Sequence, residues 1–226
     1  MPDPDAPSLR AEQVRQTKAA LVAAGRRLFG SRGFAATSVE DLAKEARVTT
    51  GALYHHFPTK TALFETVFLE VHGELLAASA SAAEGSSDLL EVLAAGFEAF
   101  LDAVMKPEVQ RIVVTEAPAV LGLDRFTELD ERDAFAEIVF VLQAANDAGQ
   151  LAVEEPEILG RLLLGALTRG ATLIASSSHP REDRDRQGGD ARLADVPSVG
   201  LHPWTRLPRG LVRAVGPCFG TPPRKL

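Results

Sequence analysis

The chain has 226 residues, a formal net charge of −7 and one cysteine, Cys218. A single cysteine excludes an intrachain disulfide, and the length allows one large or two small domains with a buried core. The most apolar stretch, residues 158–175, is interrupted by two arginines, and residues 1–8 are acidic and rich in proline. We therefore expect a cytoplasmic protein with neither a membrane span nor a secretory signal.

The charge is unevenly distributed along the chain. Residues 1–60 carry a net charge of +3, residues 61–180 carry −14, and residues 181–226 carry +4. A basic N-terminal segment can bind phosphate groups while an acidic remainder is held away from them. The overall acidity therefore does not exclude a nucleic-acid partner.

Apolar residues recur with helical spacing and the alternation typical of strands is absent, so the sequence predicts an all-α fold. Apolar residues from Val14 to Leu28 predict a first helix. The run Thr37–Glu40 has the pattern of a capping box and predicts the start of a second helix. Thr49 and Thr59 are N-cap candidates for a short third helix and a long fourth helix. Further helical patterns cover about residues 88–105, 107–120, 126–148 and 156–178, and their short connections favour an antiparallel bundle.

The second and third predicted helices have the spacing of a helix-turn-helix, whose second helix lies in the DNA major groove. Hydroxyl and N–H groups at the start of that helix can bind phosphates or bases, and small residues allow a close approach to the groove. Aromatic side chains one turn later share the outward face, and a following lysine adds a mobile charge for the DNA backbone. The DNA-facing residues predicted in this way are Thr49, Thr50, Gly51, Ala52, Tyr54, His55 and Lys60.

The run from Thr37-Ser-Val through Gly51-Ala-Leu-Tyr-His-His-Phe-Pro to Lys60 and Leu63-Phe64 resembles the tetracycline-repressor (TetR) family of bacterial transcriptional regulators, from about residue 16 to residue 71. The resemblance implies a DNA-binding domain over residues 10–58 and a helical domain for effector binding and dimerisation over residues 59–178. It further implies a homodimeric repressor, a palindromic operator and a small-molecule effector, and it adds Thr37 to the DNA-facing residues. Arg47 departs from the family, which commonly has glycine in the turn. Either a left-handed backbone there costs about 1–2 kcal/mol for an arginine, or the turn is built differently.

The resemblance also implies a mainly apolar effector pocket between helices of the second domain. Its candidate lining residues are Phe68, His72, Phe97, Phe100, Leu101, Arg111, Thr115 and Phe135. For each of them ordinary core packing is the alternative, and a body that only dimerises is the alternative to a sensor. Such a lining favours an apolar or weakly polar effector over a phosphate compound.

Three glycines interrupt the last leucine-rich helix, although a glycine inside a helix costs about 1 kcal/mol relative to alanine. Their presence favours a close approach between helices, and members of the family commonly dimerise through this part of the chain. The predicted dimer interface contains Gly160, Leu164, Gly165, Leu167 and Gly170.

The sequence predicts no catalytic site, metal site or cofactor. His55 and His56 are adjacent, whereas a helical zinc site places its histidines at positions i and i+4. The carboxylates near residue 131 are typical of a solvated helix face. A helical module that binds a protein partner remains the alternative to a DNA-binding protein, and it would tolerate substitution of Thr49 and Thr50.

Residues 179–226 lack helical periodicity and contain seven of the 14 prolines, which predicts a disordered tail. The family pattern leads us to expect a final amphipathic helix at this point. Since Pro, Arg, Gly and Ala are the residues that GC-rich codons encode in any frame, a frameshift near residues 178–181 is our hypothesis for the origin of the tail.

Overall fold

The computed structural model describes residues 9–82 and 86–176, and every regular element within these ranges is helical, as predicted. Two π-helical segments, Gln110–Glu116 and Glu131–Phe135, continue the neighbouring α-helices. One continuous helix therefore covers residues 107–121 and contains the first π segment, and another covers residues 123–147 and contains the second. The α-helices are α1 (Leu9–Arg32), α2 (Val39–Glu45), α3 (Thr50–His56), α4 (Lys60–Ser81), α5 (Leu89–Val104), α6 (Pro107–Val109), α7 (Ala117–Leu121), α8 (Leu123–Asp130), α9 (Ala136–Asp147) and α10 (Pro156–Ser176).

The chain divides into two compact units. Among the described residues, 9–72 and 107–123 form the first unit, and 73–82, 86–106 and 124–176 form the second. Helix 107–121 therefore belongs with the N-terminal helices, whereas the domain expected from the sequence covered residues 59–178 together. Helix α4 passes from the first unit into the second near His72.

The core of the first unit is built from the apolar faces of α1 to α4. Leu21, Leu42 and Leu53 are fully buried, and they place one leucine from each of α1, α2 and α3 in the same core. Phe29 and Phe64 pack edge to face with their ring centroids 5.3 Å apart, a favoured arrangement for aromatic pairs. This core stabilises the short helices α2 and α3. Each has only seven residues and would not be stable as an isolated helix in water.

The start of α2 differs from the prediction by one residue. Ser38, not Thr37, is the N-cap, and its side chain accepts from the N–H of Asp41 while the Asp41 carboxylate accepts from the N–H of Ser38. Hydrogen bonds to the Asp41 carboxylate from the backbone N–H and the side chain of Ser38 lower the pKa of this carboxyl below its ordinary value. The capping box thus uses Asp41 in place of Glu40, since Thr37 is needed elsewhere.

The second unit is a bundle in which α5, α9 and α10 pack against one another. Its core is apolar and is lined by residues from these helices and from the π segment before α9. Nine buried residues form this core: Leu93, Ala94, Phe97, Ala134, Ile138, Leu142, Leu163, Leu164 and Leu167. Asp88 caps α5 by accepting from two backbone N–H groups, which confirms the predicted start of that helix.

Helix α10 has the length and hydropathy that would also fit a membrane span, with a mean hydropathy of 1.4 over its most apolar window. Three of its six leucines, at positions 163, 164 and 167, lie in the core of the second unit, which accounts for part of its apolar composition. The predicted disordered tail of residues 179–226 and the hypothesis of a frameshift near residues 178–181 lie outside the described residues.

Candidate nucleic-acid interface and ligand pocket

The turn between α2 and α3 has the tight geometry of a helix-turn-helix. Arg47 has a positive φ of 58°, so the position commonly held by glycine is left-handed here as well. The Thr49 side chain then caps α3 by accepting from the N–H of Ala52 at 3.1 Å. Of the two alternatives for Arg47, the left-handed backbone is therefore the one present, and the turn has the shape that the motif requires.

One side of α3 is buried and the other is open to solvent. Leu53 is fully buried and Phe57 nearly so, and together they anchor the helix to the core. Thr50, Gly51, Tyr54 and His55 are exposed, and Tyr54 has 53% of its surface accessible. Thr49 is also exposed, and Ala52 is half-buried beside them. One continuous outward face is formed by the residues at positions i, i+1, i+4 and i+5 of the helix, which are Thr50, Gly51, Tyr54 and His55.

Gly51 keeps the centre of this face shallow. A Cβ atom placed on Gly51 would meet only the Thr49 hydroxyl oxygen, at 3.8 Å, so a larger side chain would project outward without a clash. The helix therefore does not need glycine for its own packing. Absence of a side chain at this position leaves room for an approaching surface.

Thr37 and Lys60 do not lie on the outward face, contrary to the prediction. Thr37 is 1% exposed and donates to the carbonyl oxygen of Gly33 at 2.7 Å. The Lys60 ammonium donates to the carbonyl oxygens of Phe34 and Thr37, both at 2.9 Å, and lies 4.1 Å from the centroid of the Phe34 ring. Both side chains thus hold the loop of residues 33–37 in front of α2. The Lys60 ammonium is held by this loop and is not a mobile charge here, and its contact with DNA stays a prediction.

Two other cations flank the outward face. Lys44 in the last turn of α2 and Arg47 in the turn are exposed, and neither forms a salt bridge within the described part of the chain. By contrast, Arg27 and Arg32 at the end of α1 pair with Glu45 and Asp41. In the sequence, Arg47 stands out only as a departure from the family's turn pattern. Its position two residues before Thr49, the N-cap of α3, also places a positive charge beside that helix.

Helix 107–121 is bonded to the end of α1 and to the loop after it. The Glu108 carboxylate pairs with Arg26, the Arg111 guanidinium donates to the carbonyl oxygen of Ser31, and the Glu116 carboxylate accepts from the N–H of Phe34 at 2.6 Å. Gly33 has a φ of 88°, and a Cβ atom there would collide with the Glu116 carboxylate. Glu116 and Lys60 therefore hold the same loop from two elements.

The second unit contains a pocket with a volume of about 560 Å³. Its walls come from the end of α4, from α5, from helix 123–147 and from α10. The lining residues are Leu76, Ser79, Ala80, Val92, Leu93, Gly96, Phe97, Phe100, Asp130, Ala134, Ala136, Glu137, Ile138, Phe140, Val141, Leu164 and Leu167. Phe140 is 72% exposed, so the pocket opens to solvent on the side of α9.

Only two of the eight predicted pocket residues, Phe97 and Phe100, line this pocket. Leu101 and Phe135 pack against the core of the second unit instead. The other four belong to the first unit, where His72 is buried and stacks on Phe68 with a centroid distance of 5.2 Å. In the same unit Thr115 donates to the carbonyl oxygen of Gln110 one helical turn earlier. The predicted effector pocket therefore shares two residues with this cavity, and its role in effector binding stays a prediction.

The predicted dimer residues are mostly buried within the second unit. A Cβ atom on Gly160 would lie 2.8 Å from Val139, so this glycine allows α10 to pack closely on α9. Leu164 and Leu167 are core residues, and Gly170 faces Leu101. Gly165 alone among the five is exposed. The outward face of α10 instead presents Ile158, Leu162, Gly165 and Leu173.

No group of three or more potential metal ligands occurs among the described residues. Two family models match the chain. One, described as bacterial regulatory proteins of the tetR family, matches residues 21–67, and the other, a tetracyclin repressor-like C-terminal domain, matches residues 90–192. The second match extends past residue 178, where the tail was predicted to begin.

Individual relatives cover most of the chain. A TetR-family transcriptional regulator of known structure from Pectobacterium atrosepticum is 30% identical, with a TM-score of 0.68, over 76% of this chain and 88% of that one. The TetC protein of transposon Tn10 from Escherichia coli is 24% identical over 68% of this chain and 78% of TetC. The HTH-type transcriptional repressor KstR2 from Mycobacterium tuberculosis is 27% identical over 54% of this chain and 62% of KstR2.

Proposed function

Because the chain belongs to the TetR family of DNA-binding transcriptional regulators, we propose that it is a ligand-responsive repressor that binds a palindromic operator as a homodimer. The observation that carries the proposal is the exposed face of α3, whose opposite side is anchored by Leu53 and Phe57. A rigid helix with small and hydroxylated residues at its exposed start is suited to reading the major groove. The matched relatives are regulators and not enzymes. A transcriptional regulator acts inside the cell, and we assign this protein to the cytoplasm.

On this face, base and backbone contacts divide between different residues. Thr50 and Tyr54 lie on the exposed side of the helix and are assigned to base edges and sugars. Arg47 and Lys44 take the role of phosphate contacts that the sequence analysis gave to Lys60, since the Lys60 ammonium is occupied by two carbonyl groups. Phosphate contacts fix the position of the head, and base contacts provide specificity.

The homodimer is assigned to the outward face of α10. Ile158, Leu162 and Leu173 are 55%, 57% and 41% exposed, and they lie at helical spacing on one side together with Gly165. An exposed apolar stripe of this kind is typical of an interface between protein chains. A two-fold dimer would present two identical reading helices, so its operator would be a pseudo-palindrome.

The effector is assigned to the pocket of the second unit, and the connectivity of the chain supports a link to DNA binding. Helix 107–121 belongs to the first unit, but it is joined to α5 by two residues and to α8 by Gly122. Both α5 and helix 123–147 line the pocket. A ligand that shifts these helices would pull on a helix that is hydrogen-bonded to the loop before α2, with a coupling free energy of typically 1–3 kcal/mol.

The DNA assignment is tested with operator duplexes selected from a random pool and measured by fluorescence anisotropy. Thr50→Ala and Tyr54→Ala should weaken specific binding by about 1–3 kcal/mol each. Arg47→Ala should weaken all duplexes alike and reduce the salt slope by about one. Thr127→Ala, the same change at a half-buried threonine of α8 outside the pocket wall and the proposed dimer face, is the control. The proposal would be contradicted if the selection recovered only asymmetric DNA sites. It would also be contradicted if Thr50→Ala, Tyr54→Ala and Arg47→Ala all left DNA binding unchanged.

A further inference from the structure

We propose that the pocket of the second unit binds a ligand with an apolar body and a positively charged nitrogen. This inference rests on the proposed function, because it names the chemical class of effector for the pocket assigned there. It goes beyond the apolar or weakly polar effector that the sequence predicts, because that prediction specified no charge.

The polar side chains of the pocket wall offer acceptors and no available donor. Asp130 and Glu137 contribute carboxylates, and neither lysine, arginine nor histidine lines the pocket. The hydroxyl of Ser79, the third polar side chain, donates to the carbonyl oxygen of Leu75 at 3.0 Å, so its proton is already used. An anionic ligand would leave water without gaining a donor, which is unfavourable. A protonated amine would supply the donors that this wall lacks.

Aromatic rings add a second attraction for a cation. Phe97 and Phe100 on α5 and Phe140 on α9 all line the pocket. The face of an aromatic ring is electronegative and attracts a cation placed within about 6 Å of its centroid. Glu137 precedes Phe140 by three residues, so the carboxylate and the exposed ring lie about one turn apart on α9. Asp130 has a further contact in the fold, so Glu137 is the residue we assign to the ligand's charge.

The charge of the surrounding unit favours the same class of ligand. Residues 73–106 and 124–176 contain 16 acidic and five basic residues, a net charge of −11. A cleft within such a unit attracts cations and repels anions. The apolar remainder of the wall, from Leu76 to Leu167, requires that the cation carry a substantial hydrophobic body. The volume of about 560 Å³ lies in the range of pockets that enclose drug-sized molecules.

Two probes of the same shape and opposite charge test the inference on the full chain. Tetraphenylphosphonium and tetraphenylborate are titrated into the protein by isothermal titration calorimetry at one ionic strength. We expect the phosphonium cation to bind on the order of tenfold more tightly than the borate anion. Glu137→Gln should lower the affinity for the phosphonium cation by about fivefold. Glu98→Gln removes the same charge from the exposed surface of α5 outside the pocket wall, and it should change this affinity by less than about twofold.

Three results would overturn the inference. Borate binding as tight as phosphonium binding would show that apolar shape alone selects the ligand. Equal effects of the two glutamate substitutions would place the cation on the general acidic surface and not in the pocket. Phosphonium binding that disappears as protein concentration is raised would show that a second copy of the chain occupies the pocket.

A separate measurement distinguishes this inference from the proposed function. Operator affinity is measured with and without each probe and with uncharged apolar compounds. Release of the operator by an uncharged compound, with no response to phosphonium, would support the regulator and refute its cationic effector. Phosphonium binding that depends on Glu137 but leaves operator affinity unchanged would support the ligand class and refute its coupling to DNA.

Discussion

Replacing Lys60 with methionine distinguishes a structural lysine from one that contacts DNA. The substitution keeps an aliphatic chain near the Phe34 ring but removes the donors to the carbonyl oxygens of Phe34 and Thr37. A hydrogen bond to a charged group contributes about 1.5–3 kcal/mol, and the contact with the ring adds about 0.5–1 kcal/mol. Water can reach part of this site, since Lys60 is only half-buried. We therefore expect the first unit to lose about 2–3 kcal/mol of stability, less than the full sum of these contributions.

The loss is measured by hydrogen exchange with mass spectrometry on peptides that cover residues 33–57, because protection there reports local opening of the first unit. Lys44→Met removes the same charge from an exposed position of α2 and serves as the control for stability. The salt dependence of DNA binding is measured on the same variants. Unchanged protection in Lys60→Met, together with a salt slope reduced by about one, would refute the structural role and restore the predicted phosphate contact.

Three further substitutions test the backbone and the charges of the first unit, and a fourth, at Gly73, is the control for the first of them. Gly33→Ala should cost about 2 kcal/mol in urea unfolding, because φ is 88° and the new Cβ displaces the Glu116 carboxylate; Gly73→Ala, on an exposed helical position with open space, should instead stabilise by up to about 1 kcal/mol. Arg47→Gly should relieve left-handed strain and stabilise by about 0.5–1 kcal/mol while weakening DNA binding, and a loss of stability would contradict this. The pKa of Asp41 is lowered in the folded protein, so the stability that its carboxylate contributes is complete above the ordinary carboxyl pKa of about 3.9. This stability is lost as the pH falls through the lowered pKa. Asp41→Asn should therefore flatten the decline in stability of α2 below about pH 4, measured by circular dichroism.

Much of the DNA-binding head follows from local sequence. The helical spacing of apolar residues and the cap at Thr49 depend on contacts within a few residues, so the sequence alone predicts them. The sequence left open whether the turn at Arg47 is left-handed, and the structure gives the positive φ there. The exposed face of α3 follows in the same way, because burial of Leu53 turns Tyr54 outward. The all-α fold and the family were determined at this level too.

Tertiary structure decided which partner each polar side chain has. Thr37 and Lys60 fit a DNA-facing pattern in sequence, yet a loop 23 residues before Lys60 supplies the carbonyl groups that hold it. Helix 107–121 joins the first unit through Glu116, whose acceptor role depends on a residue 82 positions away. Gly160 serves packing between α9 and α10, whereas its spacing alone fitted a dimer interface equally well. Local periodicity tells which side chains are buried, but only the folded chain determines what they are buried against, because those contacts join residues distant in sequence.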